Sequence, residues 1–455
     1  MRLRRVLIAN RGEIALRIVR AAKSLGLETV LAASAADRDS LAAREADRVV
    51  TLGPAPARAS YLNANLVVHA AKAAGCDALH PGYGFLSERA VLARLCEEHG
   101  IAFVGPSSDS IEAVGDKLAA RRLATAAGVA TTPGSGQLAT EEEAVAAANR
   151  IGFPALIKAS AGGGGRGMVI ARDATSLRDG FARASAEAKE AFGDGTLFLE
   201  RYVERARHVE VQVMGFGDGR VLHFGERDCS MQRRYQKMIE EAPAAALPAA
   251  TRSRLHEAAV ALLASIGYRN AGTVEFLYDV ERDDFYFMEV NARIQVEHPV
   301  SEMICGVDLI RLQLEIAGGA PPPIAQGDIV QHGHAIEARI LAENPQRGFL
   351  PSPGRIVRWR PPQGEGVRLD TAIEEGSVVS PYYDSMIAKL IVHAPDRPRA
   401  VARLREALDS FEVEGVATNI ALLRAIAGHA DFIGARLDTR WLENVFLPHY
   451  GQPEG

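Results

Sequence analysis

The stretch that decides the fold is YFMEVNARIQVEHPV, residues 286–300. Its odd-numbered positions from 289 to 297 are all polar, and the even-numbered positions between them are all apolar. A period of two is typical of a β-strand with one buried face, so we predict a strand that continues through residue 297. Alternation alone is also consistent with a strand whose polar face is simply exposed to solvent. The predicted row of functional groups is Glu289, Asn291, Arg293, Gln295 and Glu297.

The segment before this strand predicts a hairpin. TVEFLYD (273–279) and DFYFMEV (284–290) flank the turn-like residues 280–283, which sets Glu275 opposite Glu289 with Cβ atoms roughly 5 Å apart. Two carboxylates so close repel each other and favour a cation, so Glu275, Glu289 and the Asn291 carbonyl are candidate ligands for Mg²⁺ held together with phosphates. At about 3.3 Å per residue, Arg293 is expected about 13 Å further along the strand. Glu297 is a candidate general base.

A glycine-rich run, KASAGGGGRGM (158–168), satisfies the pattern G-x-G-x-x-G. A dinucleotide or Walker loop leads from a strand into a helix, whereas here FPALIKAS and MVIARD both have the pattern of short strands. We therefore predict a phosphate lid between two strands, with positive charge from Lys158 and Arg166 at its ends. A solvated glycine-rich hairpin is the alternative.

A third segment, ERDCSMQRRYQKMIEEAP (226–243), is rich in basic residues around a short loop and favours a site for small anions. Its basic members are Arg227, Arg233, Arg234 and Lys237. Cys229 has no histidine beside it in sequence, so we expect a structural thiol rather than a nucleophile.

Composition excludes several classes of protein. The net charge of −5, from 52 basic and 57 acidic residues, gives no footprint for nucleic acid or an anionic membrane. No run of apolar residues is long enough to span a bilayer. The four cysteines are scattered without C-x-x-C, which predicts neither a disulfide framework nor a zinc site and fits a reducing compartment such as the cytoplasm.

The order of predicted elements indicates a chain of mixed α/β and α+β class in three domains. Residues 1–114 begin with a βαβ unit and form a Rossmann-like N-terminal domain, without a glycine fingerprint in its first turn. Residues 115–320 form the domain with the glycine loop, whose β-rich lid subdomain covers about 131–203. A Pro/Gly-rich linker leads to a third domain of strands and helices at 330–447.

A series of motifs spread over roughly residues 3–445 resembles the biotin carboxylase family of ATP-grasp enzymes. These motifs are, in order, IANRGEIALRI, HPGYGFLSE, VGDK, KASAGGGGRGM, RHVEVQV, ERDCSMQRR, EVNARIQVEHPVSEMI, FLPSPG and PYYDSMIAKL. The resemblance implies an ATP-grasp fold with a Rossmann-like N-terminal domain and a mixed α/β C-terminal domain. It also implies that MgATP phosphorylates bicarbonate to carboxyphosphate, which breaks down to CO₂ and phosphate, and that CO₂ is transferred to the ureido nitrogen of biotin.

The same resemblance implies roles for individual residues. The ATP site would contain Lys117, Lys158, Gly164, Gly165, Glu200, Arg201, Val203, His208, Gln232, Tyr235 and Leu277. The metal ligands would be Glu275, Glu289 and Asn291, and the bicarbonate pocket would be Lys237, Arg293, Gln295, Val296 and Glu297. Arg339 would stabilise the biotin enolate and Tyr83 would line the biotin side, so the implied catalytic set is Lys237, Arg293, Glu297 and Arg339. The sequence departs from the family at Tyr235, where histidine is usual, and at Arg201, where lysine is common.

The implied cofactors and substrates are ATP, Mg²⁺ (or Mn²⁺), bicarbonate and biotin. None of the eight methionines is followed by lysine, so the biotinylation signal is missing and biotin is expected on a separate carrier. The implied partners are therefore a biotin carboxyl carrier protein or domain and a carboxyltransferase subunit, with a homodimer expected from the family. Segments near 342–354 and 428–446 resemble the α chains of acyl-CoA carboxylases, so a separate subunit and a part of a longer chain are both open.

Two other functions share these features. Another ATP-grasp ligase, which couples an organic acid to an amine or a thiol, would use the same glycine lid and metal carboxylates but would have no role for Arg339. A non-catalytic nucleotide-binding subunit would keep the fold without turnover; the joint presence of the metal and anion residues argues against it.

Overall fold

The N-terminal part of the chain builds a parallel sheet, as the βαβ pattern predicts. The computed structural model describes residues 3–159 and 168–451, except for the side chains of residues 191 and 192. Five strands lie in the order β3-β2-β1-β4-β5 and every pairing is parallel. The elements are β1 (Arg5–Ile8), α1 (Gly12–Ser24), β2 (Glu28–Ser34), α2 (Leu41–Glu45), β3 (Arg48–Gly53), α3 (Ala64–Ala73), β4 (Ala78–His80), α4 (Ala90–Glu98), β5 (Ala102–Phe103) and α5 (Ser108–Gly115). Helix α1 buries a face that includes Ile14, Ile18 and Ala21 against this sheet.

The next part of the chain carries the glycine run. Its elements are α6 (Lys117–Ala126), α7 (Glu141–Ile151), β6 (Ala155–Ala159), β7 (Val169–Ala171), α8 (Ala174–Phe192) and β8 (Leu197–Arg201). Strands β6 and β7 pair antiparallel, which confirms that strands flank the run. Residues 160–167, including Gly164 and Gly165, lie outside the described residues. The prediction of a β-rich segment was wrong, because α7 and α8 bury alanine-rich faces on this small sheet.

One eight-stranded sheet carries the rest of the fold. Its order is β13-β12-β9-β10-β11-β14-β21-β19, so strands before and after the Pro/Gly-rich linker at 318–328 belong to the same sheet. The elements before the linker are β9 (Ala206–Phe216), β10 (Val221–Arg233), β11 (Gln236–Ala242), α9 (Ala249–Ala264), β12 (Arg269–Asp279), β13 (Asp284–Asn291), α10 (His298–Cys305) and α11 (Leu309–Ala317).

The last part of the chain extends this sheet and covers one of its faces with helices. Its elements are β14 (His334–Leu341), β15 (Glu343–Asn344), β16 (Leu350–Pro351), β17 (Gly354–Arg355), β18 (Arg358–Arg360), β19 (Val367–Thr371), β20 (Val378–Val379), β21 (Met386–Ala394), α12 (Arg397–Ser410), β22 (Glu412–Glu414), α13 (Ile420–Gly428) and α14 (Ala430–Ile433). Helices α12 and α13 pack on strands β14 and β21 around an apolar core. None of the described helices combines the length and the apolar character needed to cross a bilayer.

Strand β13 is shorter than the sequence predicts. It ends at Asn291, whose partner on β12 is Thr273, so the expected position of Arg293 about 13 Å along a strand is wrong. The backbone N–H of Ala292 donates to the Glu88 carboxylate instead of to a neighbouring strand. The chain then turns into α10, with the imidazole of His298 on the Gln295 carbonyl oxygen at 2.7 Å. Residues 293–297 are therefore a connection between a strand and a helix.

Candidate active site

The hairpin of β12 and β13 brings the predicted metal ligands together. Glu275 and Glu289 are direct register partners, as predicted, because a β-bulge between Glu275 and Phe276 shifts by one residue the register that the turn at residues 280–283 sets. The Asn291 amide donates to Glu275 Oε1 at 2.9 Å. His208, on the neighbouring strand β9, places its Nε2 atom 3.1 Å from Glu275 Oε2. Three polar groups thus converge on the hairpin beside the Glu275 carboxylate.

The two carboxylates differ in their surroundings. Burial would raise the pKa of Glu275, but Lys237 and His208 outweigh it and hold this pKa well below the usual range. Burial and the neighbouring Glu275 charge raise the pKa of Glu289, and among the described residues none donates a hydrogen bond to it. A carboxylate without a partner, beside a second carboxylate and an amide, fits a divalent cation with oxygen ligands.

Lys237 is the centre of a buried ion cluster. Strand β11 places its Nζ atom 2.6 Å from Glu210, 3.1 Å from Glu275 and 2.6 Å from Glu297. Burial alone would lower the pKa of Lys237, but the surrounding carboxylates of Glu210, Glu275 and Glu297 raise it well above the usual range. Lys237 is therefore a fixed positive charge that three carboxylates share, and it connects Glu275 of the β12–β13 hairpin to Glu297.

Arg227 supports this cluster from behind. It is completely buried, and it donates to Glu210 at 2.6 Å and to Gln212 at 2.8 Å. The prediction that Arg227 lies around a short loop that binds small anions was wrong, because Arg227 lies within β10. Cys229 lies nearby with its thiol 3.8 Å from Glu297, and burial raises its pKa well above the usual range. A protonated thiol agrees with the predicted structural role.

Arg293 extends from the connection after β13 towards the same cluster. Its guanidinium donates to Gln295 at 2.7 Å and to Asn291 at 3.0 Å, and it forms an ion pair of 3.0 Å with Glu88. Gln295 in turn donates to Glu275 at 3.1 Å. Four of the five residues predicted for bicarbonate, namely Lys237, Arg293, Gln295 and Glu297, are therefore linked through side-chain contacts that pass by Glu275, although residues 293–297 do not form the expected strand.

Arg339 reaches the cluster from the other side. Strand β14 places its guanidinium 2.9 Å from Glu297 and 2.6 Å from Glu240, with most of its side chain buried. Burial would raise the pKa of Glu297, but Lys237, Arg339 and Arg227 together hold it well below the usual range. Glu297 is thus a carboxylate held between two cations from different parts of the chain.

Some of the residues predicted for ATP lie at or near one small apolar cluster, and the others are spread over several elements. Val203 and Leu277 share a small apolar cluster with Ala206 and Tyr286, which fits a flat ring. Lys158 pairs with Glu200 near this cluster. The other predicted members within the described residues are His208, which lies beside Glu275, and Lys117, Arg201, Gln232 and Tyr235.

These remaining nucleotide residues have distinct positions. Lys117 is exposed at the start of α6. Its positive charge offsets part of the rise in the pKa of Glu289. Gln232 is the register partner of Lys237 across the β10–β11 hairpin. The Arg201 guanidinium donates to the Ile151 carbonyl oxygen at 2.9 Å, so its side chain has a structural contact. Tyr235 occupies the exposed tip of the hairpin with a φ of +65°.

The tip also holds the other two predicted anion residues. Arg233 stacks on the Phe349 ring at 3.6 Å, and the Arg234 N–H donates to Glu443 at 3.0 Å. They do not share one site with Arg227 and Lys237.

Tyr83 belongs to a neighbouring buried network. Its hydroxyl donates to Glu13, and the Lys389 Nζ atom lies 3.1 Å from the same carboxylate. Lys389 also donates to the Val296 carbonyl oxygen at 2.9 Å. Tyr83 is therefore connected to the bicarbonate residues through Lys389 and the backbone of Val296.

Three acidic residues of the site were not predicted from the sequence. They are Glu88, Glu240 and Glu210, the last as the partner of Lys237 and Arg227. Glu88 comes from the loop after β4, about two hundred residues before its partners, and no local pattern marks it. Glu240 follows Lys237 on β11 and could have been suspected only from the fact that β11 pairs with the strand of Arg339.

Comparisons with known proteins agree with this arrangement. Residues 2–111 match the family described as biotin carboxylase, N-terminal domain. Residues 116–324 match the carbamoyl-phosphate synthase L chain, ATP binding domain, and residues 337–444 match the biotin carboxylase C-terminal domain.

Individual relatives are similar over nearly the whole chain. Biotin carboxylase 1 of Bacillus subtilis is 48% identical, over 97% of this chain and 98% of its own length. Mitochondrial methylcrotonoyl-CoA carboxylase subunit alpha of Arabidopsis thaliana is also 48% identical over 97% of this chain, which spans 60% of that relative. A sequence similar to this chain thus makes up nearly the whole of one relative and part of a longer one.

Two solved structures have the same fold. A biotin carboxylase of Campylobacter jejuni in a β,γ-ATP complex has a TM-score of 0.91 at 46% identity, covering 97% of this chain and 98% of its own. The biotin carboxylase domain dimer of Hydrogenobacter thermophilus 2-oxoglutarate carboxylase, with MgADP, ADP and bicarbonate, has a TM-score of 0.91 at 46% identity and full coverage of both chains.

Proposed function

The chain belongs to the biotin carboxylase family, and from that premise we propose that it uses MgATP and bicarbonate to carboxylate the ureido nitrogen of biotin. This is the first half-reaction of acetyl-CoA or another acyl-CoA carboxylase. One observation carries the proposal within the site: Glu297 is held between Lys237 of β11 and Arg339 of β14. Glu297, the proposed base for bicarbonate, is therefore in direct contact with Arg339, the arginine proposed to act on biotin.

The proposed roles follow from the charges around Glu297. Lys237 and Arg293 attract bicarbonate, and Gln295 orients it by hydrogen bonding. Because cations stabilise the more negative form of a bound anion, they lower the cost of removing its proton. Glu297 accepts this proton as a bicarbonate oxygen attacks the γ-phosphorus of ATP and ADP leaves.

The contacts of Glu297 also control its basicity. In the present arrangement Lys237 and Arg339 hold the pKa of Glu297 well below the usual range, which makes it a weak base. When an anion binds, it competes with Glu297 for these cations, so the carboxylate becomes more basic at the moment when a proton must be taken. A divalent ion held by Glu275, Glu289 and Asn291 would supply charge neutralisation at the ATP phosphates.

Biotin is proposed to bind on the Arg339 side. Carboxyphosphate breaks down to CO₂ and phosphate; this phosphate accepts the proton of the ureido nitrogen, and the nitrogen forms a bond to the carbon of CO₂. The negative charge that develops on the ureido oxygen is stabilised by Arg339, whose guanidinium is already fixed by Glu240 at 2.6 Å. Tyr83 is proposed to line this side of the site.

The other ATP-grasp reaction predicts a different dependence. A ligase that joins an organic acid to an amine or thiol would require that acid and would not use Arg339. The buried position of Arg339 in contact with Glu297 favours the biotin reaction. The proposed partners are a separate biotin carboxyl carrier protein or domain and a carboxyltransferase subunit, in a cytoplasmic complex with this chain as a homodimer.

The test is release of ADP from MgATP in the presence of bicarbonate and free biotin. We expect the rate to require bicarbonate and to increase with biotin. Glu297→Gln should lower it by about 10²–10⁴, the usual contribution of a general base. Glu98→Gln, at the exposed end of α4, is the matched control and should leave the rate unchanged. A rate that is indifferent to bicarbonate would overturn the proposal.

A further inference from the structure

Two buried carboxyl groups face each other next to Arg339. Glu240 on β11 and Glu337 on β14 are direct register partners, and neither side chain is exposed. Such a pair has Cβ atoms about 5 Å apart. Both oxygens of Glu337 and the Oε2 atom of Glu240 are buried without a hydrogen-bond partner. These three oxygens are exceptional, because buried polar atoms normally have partners.

Few charges offset this pair. The Oε1 atom of Glu240 accepts from Arg339 at 2.6 Å. On the same face of the sheet the pair borders an apolar cluster, to which helix α10 contributes two residues; its members are Ala242, Val300, Ile304, Ala335 and Ile391. The charged groups that act on the pair are Lys237 of β11, Arg339 of β14, Lys389 of β21 and Glu297 before α10, with Glu13 of α1 and Asp370 of β19 behind Lys389.

Neither cation that faces Glu337 forms an ion pair with it among the described residues. Lys389 directs its Nζ atom to Glu13 at 3.1 Å and to the Val296 carbonyl oxygen at 2.9 Å. Arg339 directs its guanidinium to Glu240 and Glu297. Two adjacent carboxylates cannot both remain charged in an apolar setting with one ion pair between them, so the pair keeps one proton.

The proton belongs on Glu337. Burial raises the pKa of Glu337 well above the usual range, because the attraction of Lys389 is offset by the charges of Glu240 and Glu297. Burial raises the pKa of Glu240 only to about 7, since Arg339 contacts it directly. A neutral carboxyl group is a hydrogen-bond donor, and its register partner Glu240 has an acceptor without a partner, the Oε2 atom.

We propose that Glu337 is a positioning residue for biotin carboxylation, which as a neutral acid donates to Glu240 and thereby holds Glu240 in its contact with Arg339. Arg339 is shared between Glu240 and Glu297. If Glu240 loses its donor, it turns away or must be protonated itself, and Arg339 then pairs more strongly with Glu297. The arginine would be less available to biotin and the base would be weaker. This inference rests on the proposed function.

Two variants of Glu337 separate the donor from the space that it fills. Glu337→Gln keeps a neutral donor of similar shape, and we expect kcat near the wild-type value at neutral pH. Glu337→Leu fills the site without a donor, and we expect kcat with biotin to fall about tenfold to a hundredfold, the rate equivalent of one hydrogen bond to a charged group. ADP release without biotin should change little in Glu337→Gln, and in Glu337→Leu it should fall less than biotin carboxylation, because it depends on Glu297 but not on Arg339.

The pH profile gives the sharper readout. Wild-type activity should decline at alkaline pH as the pair loses its shared proton, whereas Glu337→Gln cannot lose that proton and should keep its activity further into the alkaline range. Equal alkaline declines in wild type and Glu337→Gln, or equal losses in Gln and Leu variants, would overturn the inference. If wild type itself does not carboxylate biotin, the proposed function fails instead.

An infrared measurement keeps the inference falsifiable if Glu337→Leu does not fold. The wild-type protein in neutral buffer should show the carbonyl stretch of a protonated carboxylic acid, and Glu337→Gln should lack that band. A wild-type spectrum that loses nothing on this substitution would show that Glu337 is ionised and would refute the proposal.

Discussion

Replacing Lys237 by methionine tests how strongly the ion cluster depends on the cation that three of its carboxylates share. The Nζ atom lies within 3.1 Å of Glu210, Glu275 and Glu297, so Lys237→Met removes a shared partner of three buried carboxylates. Removal of one partner from a buried ion pair typically costs about 3–5 kcal/mol, because the other charge stays buried without compensation. That is a decrease of about two to four powers of ten in the folding equilibrium constant.

The loss should depend on pH with a definite sign. In the wild-type protein the pKa values of Glu275 and Glu297 lie well below the usual range, with Lys237 the strongest favourable charge in each case. These carboxylates therefore stabilise the fold above their unfolded pKa, and the contribution is lost as the pH falls below it. Without Lys237, burial raises both folded pKa values, so the variant gains stability as the pH falls and the deficit shrinks towards acid.

Urea unfolding followed by circular dichroism at pH about 5.5 and about 8.5 measures this difference. Lys23→Met is the matched control, because Lys23 pairs with Asp47 on the surface at 3.0 Å and its loss should cost no more than about 1 kcal/mol. The reasoning is refuted if the Lys237→Met deficit matches that of Lys23→Met, or if it is the same at both pH values.

Three further substitutions have distinct expected outcomes. Arg293→Ala should abolish biotin carboxylation but spare most of the ATP affinity measured by calorimetry, since its guanidinium contacts Gln295 and not the apolar cluster of Leu277; equal loss of both would contradict this. Glu289→Gln should increase the Mg²⁺ concentration for half-maximal ADP release, because it removes a charged oxygen ligand, and an unchanged Mg²⁺ curve would argue against a metal role. Glu241→Gln should destabilise the protein by about 3–5 kcal/mol at neutral pH by unpairing the buried Arg397. Burial would raise the pKa of Glu241, but His334 and Arg397 lower it to about 2, so the stability difference between variant and wild type should shrink as the pH falls from about 4 towards 2. A difference that stays constant through that acid range would be the contrary result.

Local patterns predicted the part of the site that depends on neighbouring residues. The hairpin of β12 and β13 and the pairing of Glu275 with Glu289 were predicted from the two strand patterns and the turn between them. The β-bulge between Glu275 and Phe276, which completes this pairing, was not predicted. The alternation of the second strand failed after Asn291. There a carboxylate from Glu88, distant in sequence, replaces the next strand-to-strand hydrogen bond, and no period in the sequence carries that information.

Long-range pairing decides the other half of the site. From the pattern of residues alone, Arg339 reads as a surface arginine, yet it is mostly buried because β14 pairs with β11 across the linker at 318–328. The family resemblance supplied its role, whereas the sequence pattern did not. The Glu240–Glu337 pair was missed for the same reason: each residue has an ordinary local context, and only the register of two distant strands makes them neighbours.

The most direct test of the account follows the carbon atom. The protein is incubated with MgATP, ¹⁴C-bicarbonate and free biotin, and the label on biotin is compared with the ADP that forms only when biotin is present. We predict acid-labile label on biotin in equal amount to this biotin-dependent ADP, and loss of the label in a folded Arg339→Met variant. ADP release that never labels biotin, or label that survives in Arg339→Met, would contradict the claim that one charge cluster serves bicarbonate and biotin together.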